Sequence, residues 1–133
     1  MTLAELAAQQ HKQSWRWFPN IAGDLKHHVL GLAGEVGEVA NLVKKWDRGD
    51  FELGDSIQVE RPYETQFDEQ TYREVIGEEV IDVLIYVLNI CAVLGIDPDE
   101  ILEMKNELNE SRFGRRAPNS IDDSTGDVAA GSL

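Results

Sequence analysis

The sequence predicts an all-α fold, a bundle of four helices. Three observations carry this. Apolar residues recur at steps of three and four through two long stretches, residues 25–46 and 76–94. Helix-start and helix-stop residues bracket four segments. Strand signals are confined to a weak hairpin pattern around Gly54-Asp55, within residues 51–60.

Thr2-x-x-Glu5 has capping-box spacing and opens the first helix, which Leu3, Leu6 and Ala7 continue as a short apolar stripe. Pro19 disfavours continuation beyond about Trp17. Asp24 caps a second helix whose seam is Leu25, Val29, Leu32, Val36, Val39, Val43 and Trp46, and Asp47-Arg48-Gly49-Asp50 ends it. Residues 47–68 hold Gly49, Gly54 and Pro62 among many acids and read as a long loop, the kind that serves as a lid or other functional element. A third helix starts near Asp68 or Thr71. Its seam is Ile76, Val80, Val83, Val87, Ile90 and Leu94, and Ile81, Leu84, Ile85 and Leu88 widen the apolar surface nearly all round. Such a helix is central, either within the chain or at an oligomer interface. Gly95 stops it. Asp97 as N-cap, Pro98 at N1 and Glu100 at N3 start the fourth helix, which runs to about Phe113 with Gly114 as its C-terminal cap. One helical domain over residues 1–113 is expected, followed by a Gly-, Ser- and Asp-rich tail over residues 114–133 that reads as disordered.

A net charge of −13 argues against DNA or RNA as a partner, because such a chain repels a phosphate backbone. The charge is uneven: residues 1–46 carry five Lys/Arg against four Asp/Glu, and residues 47–80 carry three against eleven. Acidic clusters can hold divalent cations, which in turn carry phosphorylated ligands, although most of these acids read as solvated surface. No run approaches the apolar length of a membrane span, and the start Met1-Thr2-Leu3-Ala4-Glu5 lacks the pattern of a signal peptide. A cytoplasmic location is therefore expected. The single cysteine, Cys91, lies in an apolar run and reads as a buried core thiol.

Glu35 and Glu38, three apart on the second helix, share a face beside the seam. Glu79 and Asp82 repeat the arrangement on the third. If the seams pack together, four carboxylates converge and repel one another unless a cation compensates. Such hard oxygen ligands suit Mg²⁺, or Mn²⁺. Either pair alone is equally what an exposed helix face carries. Gly34 and Gly37, next to the glutamates, weaken a helix interior and hint at a close approach there. Tyr86 continues the line of Glu79 and Asp82 by one turn, as a base- or sugar-contacting residue or as a core tyrosine. Lys105, Asn109 and Arg112 form a polar stripe on the fourth helix, suited to phosphate oxygens or to surface pairing with Glu103, Glu107 or Glu110; spacing alone favours the pairing. For His27 and His28, surface or capping roles outweigh substrate contact. Trp15, Trp17 and Trp46 suit a base-stacking wall or core packing. No Glu-x-x-His motif occurs, which argues against a di-iron helical-bundle site.

The text Leu32-Ala33-Gly34-Glu35-Val36-Gly37-Glu38-Val39-Ala40, together with Glu78-Glu79-Val80-Ile81-Asp82-Val83-Leu84-Ile85-Tyr86, resembles the MazG-like all-α nucleoside triphosphate pyrophosphohydrolases. Within that superfamily it looks closest to the dCTP pyrophosphatase-like branch, over roughly residues 10–113. Lys105-x-x-x-Asn109-x-x-Arg112 is similar to the family's phosphate-contacting signature. The resemblance implies that Glu35, Glu38, Glu79 and Asp82 ligate Mg²⁺, and that the α–β phosphate bond is cleaved to a nucleoside monophosphate and pyrophosphate. It also implies a homodimer or a dimer of dimers. For the attacking water, Glu38 or Glu35 is the catalytic base to bet on. Tyr86 matches a position facing the base, and Trp46 stands about one residue out of register with a base-contacting tryptophan. The forty residues between Glu38 and Glu79 exceed the family's usual spacing, so the acidic insertion is a lid, a dimer contact or a specificity element. Two rival readings are a phosphoribosyl-ATP pyrophosphohydrolase-type enzyme and a non-catalytic helical dimer that binds nucleotide or protein.

Overall fold

The computed structural model describes residues 1–49 and 69–114. Most of the expected acidic loop, its hairpin and the polar tail lie outside these residues. Among the described residues the chain is all-helical: α1 (Leu3–Trp17), α2 (Leu25–Asp47), α3 (Glu69–Leu94) and α4 (Pro98–Phe113).

The helix ends follow the capping chemistry written in the sequence. The Thr2 Oγ1 accepts from the Glu5 N–H at 3.1 Å, and the Thr2 N–H donates to the Glu5 carboxylate at 2.8 Å, which completes the capping box. Asp24 accepts from the Lys26 N–H, and Asp97 accepts from Asp99 and Glu100. Gly95 ends α3 at φ 67°; its N–H donates to Ala92 and that of Ile96 to Cys91, a Schellman arrangement. Gly49 takes the same left-handed conformation after α2. Gly114 caps α4 at φ −59°, a right-handed conformation, unlike Gly49 and Gly95.

α1 and α2 both pack on α3 and both run antiparallel to it. The Tyr72 hydroxyl, early in α3, donates to the Leu42 carbonyl late in α2, while Tyr86 meets Gly31 near the start of α2. On the other side the Ser14 hydroxyl donates to Asn89 Oδ1 at 2.9 Å. Leu42, Tyr72 and Val75 form a fully buried cluster, closed by Trp46 and Ile76. Cys91 is buried, as expected of a core thiol, and burial pushes its thiol pKa up.

α4 departs from an aligned four-helix bundle. It turns 104° from α3 across residues 95–97 and packs against α1. Asp99 holds it there: its carboxylate accepts from the Leu3 N–H at 3.1 Å and the Ala4 N–H at 2.7 Å. These are the first two N–H groups of α1, which no intrahelical carbonyl can satisfy, and the negative charge also complements the helix dipole. Asp99→Ala is therefore expected to destabilise the chain by about 1–2 kcal/mol in chemical denaturation, with Asp99→Asn recovering part of the loss.

The buried stripes coincide with the apolar seams only in part: Leu32, Val39, Val43 and Trp46 of α2 and Ile76, Val83 and Ile90 of α3 are half-buried, and the other seam residues are exposed. On α2, Val29 and Val36 are 47% and 49% exposed, and the inward line passes through His28, Gly31, Glu35, Leu42 and Trp46. On α3 it passes through Tyr72, Val75, Glu79, Tyr86 and Asn89, while Val80, Ile81, Val87 and Leu94 remain exposed. The inner faces are thus partly polar, and much of the apolar seam is left uncovered in the single chain.

Candidate functional site

Because α2 and α3 run antiparallel, the middles of their inner lines face each other, and both middles carry acids. Glu35 and Glu79 are half-buried; Glu38 and Asp82 are exposed. Carboxylate oxygens of Glu35, Glu79 and Asp82 lie within 4.8 Å of one another. When protonated, Glu79 is placed to donate its one hydrogen to Glu35 or to Glu38. The convergence expected from the two acidic motifs is therefore present, with three members in mutual reach and Glu38 joined through Glu79.

The cluster is electrostatically frustrated. Burial pushes the Glu79 carboxyl up from 4.5 to about 7; the hydrogen bond to Glu38 and the charges of Glu38, Glu35 and Asp82 add to it. Glu35 is raised by burial and by Glu38 and Asp82, with the hydrogen bond from Glu79 opposing. Asp82, exposed as a whole residue, is raised by partial desolvation of its carboxyl and by Glu38. The charges that move these groups are all carboxylates, so a protonated Glu79 serves as donor to one of its neighbours. The donor set fits a hard divalent cation.

A cavity of about 480 Å³ opens beside the acids, between the end of α1, the following turn, the first half of α2 and the second half of α3. Glu35 and Asp82 stand on its rim together with Tyr86, and Trp17 and Phe18 supply aromatic surface. Tyr86 packs near His27 and His28, at ring-centroid separations of 6.4 and 6.1 Å. Burial, then Glu35 and Asp82, raise its hydroxyl pKa. Its place one turn beyond Asp82 is the one expected from spacing.

Other candidates fall elsewhere. Trp46 is a core residue, 6.0 Å from the Tyr72 ring and covered by the Arg73 guanidinium at 5.3 Å; it does not line the cavity. Trp15 is half-exposed, its indole N–H donating to His11 Nε2 at 3.0 Å. Of the three tryptophans, Trp17 lines the cavity. Lys105, Asn109 and Arg112 lie on α4 beyond the first turn that Asp99 ties to α1, and within one chain neither cation acts on the acidic cluster. Arg112 instead covers Phe113.

Three features went unread in the sequence. His28, expected at the surface or as a cap, is 4% exposed, because the inward line of α2 runs through it. Asn89, buried at 2%, forms part of the cavity wall. The glycine at a close approach is Gly31, where a Cβ would run into the Tyr86 ring, and not Gly34 or Gly37, where it would meet nothing within 4 Å. The three-residue spacing of the acids was the usable signal. A polar residue in register with it, such as His28 seven residues before Glu35 or Asn89 seven after Asp82, would have marked the same inward line. Compared with protein-family models, curated proteins and solved structures, the chain has no match.

Proposed function

We propose that this chain is a Mg²⁺-dependent nucleoside triphosphate pyrophosphohydrolase of the MazG-like kind. It would cleave the α–β phosphate bond of a ribo- or deoxyribonucleotide to the monophosphate and pyrophosphate, in nucleotide-pool house-cleaning. The observation that carries this reading is the junction of two surfaces: a convergent carboxylate cluster and, sharing Glu35 and Asp82 with it, a cavity with aromatic walls. The first suits a cation with its phosphates and the second a flat, partly apolar base.

Glu35, Glu79 and Asp82 would hold Mg²⁺, or Mn²⁺, with Glu38 beside them. The bound cation would supply charge neutralisation and polarise the phosphoryl oxygens. Glu38 or Glu35 would take the proton of the water attacking the α-phosphorus. Tyr86 and Trp17 would flank the base. Lys105, Asn109 and Arg112 would stabilise the leaving pyrophosphate. Since α4 is packed on α1, that role belongs to an assembly in which a second copy brings its α4 to this cluster. The exposed Val80, Ile81 and Val87 of α3 and Leu102, Met104 and Leu108 of α4 offer apolar surface for such a homodimer or dimer of dimers.

The test is a panel of common and damaged nucleotides with Mg²⁺, including phosphoribosyl-ATP, with pyrophosphate and phosphate measured separately. Pyrophosphate release is expected from at least one nucleoside triphosphate, and Glu38→Gln is expected to abolish it with helix content unchanged by circular dichroism. Turnover of phosphoribosyl-ATP alone would move the reading to that enzyme type. Full activity in Glu38→Gln would remove Glu38 from the catalytic machinery, and no metal-dependent turnover anywhere on the panel would leave a non-catalytic binding protein.

A further inference from the structure

We propose that His28 and Asn89 are positioning residues: they hold the turn after α1 so that Trp17 and Phe18 stand as a fixed wall of the cavity, on which a planar base stacks. This rests on the pyrophosphohydrolase reading and adds to it two residues that act on the ligand through others.

Trp17 and Phe18 line the cavity, and each is more than half exposed. With so little of their own surface packed, their position is set by the backbone that carries them. That backbone is tied on both sides. On the α1 side, the Phe18 N–H donates to the Ser14 carbonyl at 2.8 Å, and the Ser14 hydroxyl donates to Asn89 Oδ1 on α3 at 2.9 Å. The Asn89 amide is itself oriented, because its Nδ2 donates to the Ile85 carbonyl at 3.0 Å. On the α2 side, the Phe18 carbonyl accepts from the Ile21 and Ala22 N–H groups at 3.1 and 3.0 Å. The Ala22 carbonyl in turn lies 2.8 Å from His28 Nε2, which carries the hydrogen, since a carbonyl oxygen only accepts.

The ties are buried where the wall is open: His28, Asn89 and Ala22 are all buried. A hydrogen bond in such a place is stronger than one facing water, and breaking it leaves a buried polar group unpaired. Histidine and asparagine are unfavourable on the inward lines of α2 and α3 unless their polar atoms are used. The atoms used here are the ones that reach the turn and the last turn of α1. A wall fixed before the ligand arrives stacks on a base with little ordering cost, and stacking accepts any base. His28 and Asn89 therefore act on how tightly a nucleotide is held, not on which base it carries.

The kinetics of pyrophosphate release from an accepted nucleoside triphosphate test this. Trp17→Ala combined with Phe18→Ala is expected to raise KM about 10-fold. His28→Leu, which keeps bulk but no donor, and Ser14→Ala, which removes the hydroxyl alone, are each expected to raise KM by a smaller factor, with kcat changed by less than about 2-fold. His28→Gln offers an amide N–H to the Ala22 carbonyl and should restore most of KM. It also lacks the imidazole beside Tyr86, so recovery assigns the effect to the turn and not to Tyr86. In the chain lacking both aromatic rings, His28→Leu and Ser14→Ala should raise KM no further. Amide exchange at Ile21 and Ala22 should quicken in His28→Leu without any nucleotide. Unchanged KM in both variants, or losses that persist in full without the two rings, overturn the positioning role while the pyrophosphohydrolase reading stands. Unchanged amide exchange overturns the tie itself. If His28→Leu does not fold, Ser14→Ala carries the test. If the wild type releases pyrophosphate from no nucleotide, the pyrophosphohydrolase reading falls, and the role of the wall in base binding falls with it.

Discussion

Glu79→Gln is expected to raise the melting temperature of the cation-free protein by several degrees at about pH 8 and to abolish turnover. The two effects share one cause. Glu79 is the most strongly shifted of the acids, pushed up to about 7 by burial, by its hydrogen bond to Glu38 and by three neighbouring carboxylates. Its folded-state pKa thus lies above the ordinary 4.5, and the folded chain binds more protons than the unfolded one between these values. Stability from this group is complete below about pH 4.5 and is lost as pH rises through about 7. Glu35 and Asp82 are raised as well and act in the same direction. Without divalent cations, the wild-type melting temperature should therefore fall between about pH 5 and about pH 8. In Glu79→Gln a neutral amide donates to Glu38 or Glu35 without needing a proton, so much of that fall should disappear.

Divalent cation should reverse the pattern in the wild type. A cation bound by ionised carboxylates displaces the proton of Glu79, so proton release should accompany Mg²⁺ binding near pH 6. Thermal stabilisation by Mg²⁺ should grow as pH rises through the same window, and Glu79→Gln should show little of it. Melting curves over a grid of pH and Mg²⁺ measure all of this without any substrate. A wild-type melting temperature that is flat with pH and indifferent to Mg²⁺ would remove the cluster as a cation site. The carboxylates are held together against their mutual repulsion by the packing of α2 on α3, the stability–function conflict expected where a fold gathers like charges for a ligand.

Helix ends were legible because capping is local chemistry. Thr2, Asp24 and Asp97 each satisfy N–H groups within three residues of themselves, and Gly95 takes a backbone conformation that side chains resist. The acidic motifs were legible because three-residue spacing puts two side chains on one helical face whatever the tertiary fold. Which face turns inward was legible only in part: Leu32, Val39, Val43 and Trp46 of α2 and Ile76, Val83 and Ile90 of α3 are half-buried as their seams require. Apolar periodicity marks surface that seeks burial somewhere, and here Val36 and Val80 belong to that surface yet stay exposed, while His28, Glu35, Glu79 and Asn89 take the inner lines. The direction of α4 was hidden for a different reason. It depends on Asp99 meeting N–H groups 95 and 96 residues away, a contact that no local pattern encodes. Trp46 was read for its chemistry, but the turn of α2 on which it lies faces Tyr72 and Val75 and closes the core.

Gly31→Ala is expected to cost stability and to impair turnover, with the stability effect reversing in a chain that lacks the Tyr86 ring. In isolation the change favours the helix, since alanine in a helix interior is worth about 1 kcal/mol over glycine. Gly31, however, is where α3 lays Tyr86 against the α2 backbone, and a Cβ there would overlap ring carbons and the hydroxyl. The ring can give way only toward the cavity: it lies against His27 and His28 on one side and borders the cavity with Glu35 and Asp82 on the other. Overpacking of this kind costs about 1–3 kcal/mol, enough to outweigh the helix gain. The ring would be displaced into the cavity, where the proposed base site lies, so KM for any accepted nucleotide should rise more than kcat falls. Tyr86→Ala removes the obstacle, and adding Gly31→Ala to it should then raise the melting temperature. This change of sign in a double-mutant cycle separates close approach from propensity. If Gly31→Ala stabilises the chain with Tyr86 intact, the ring is not seated on Gly31 and the cavity wall is built differently. If it destabilises both backgrounds equally, the glycine is required for a reason other than Tyr86.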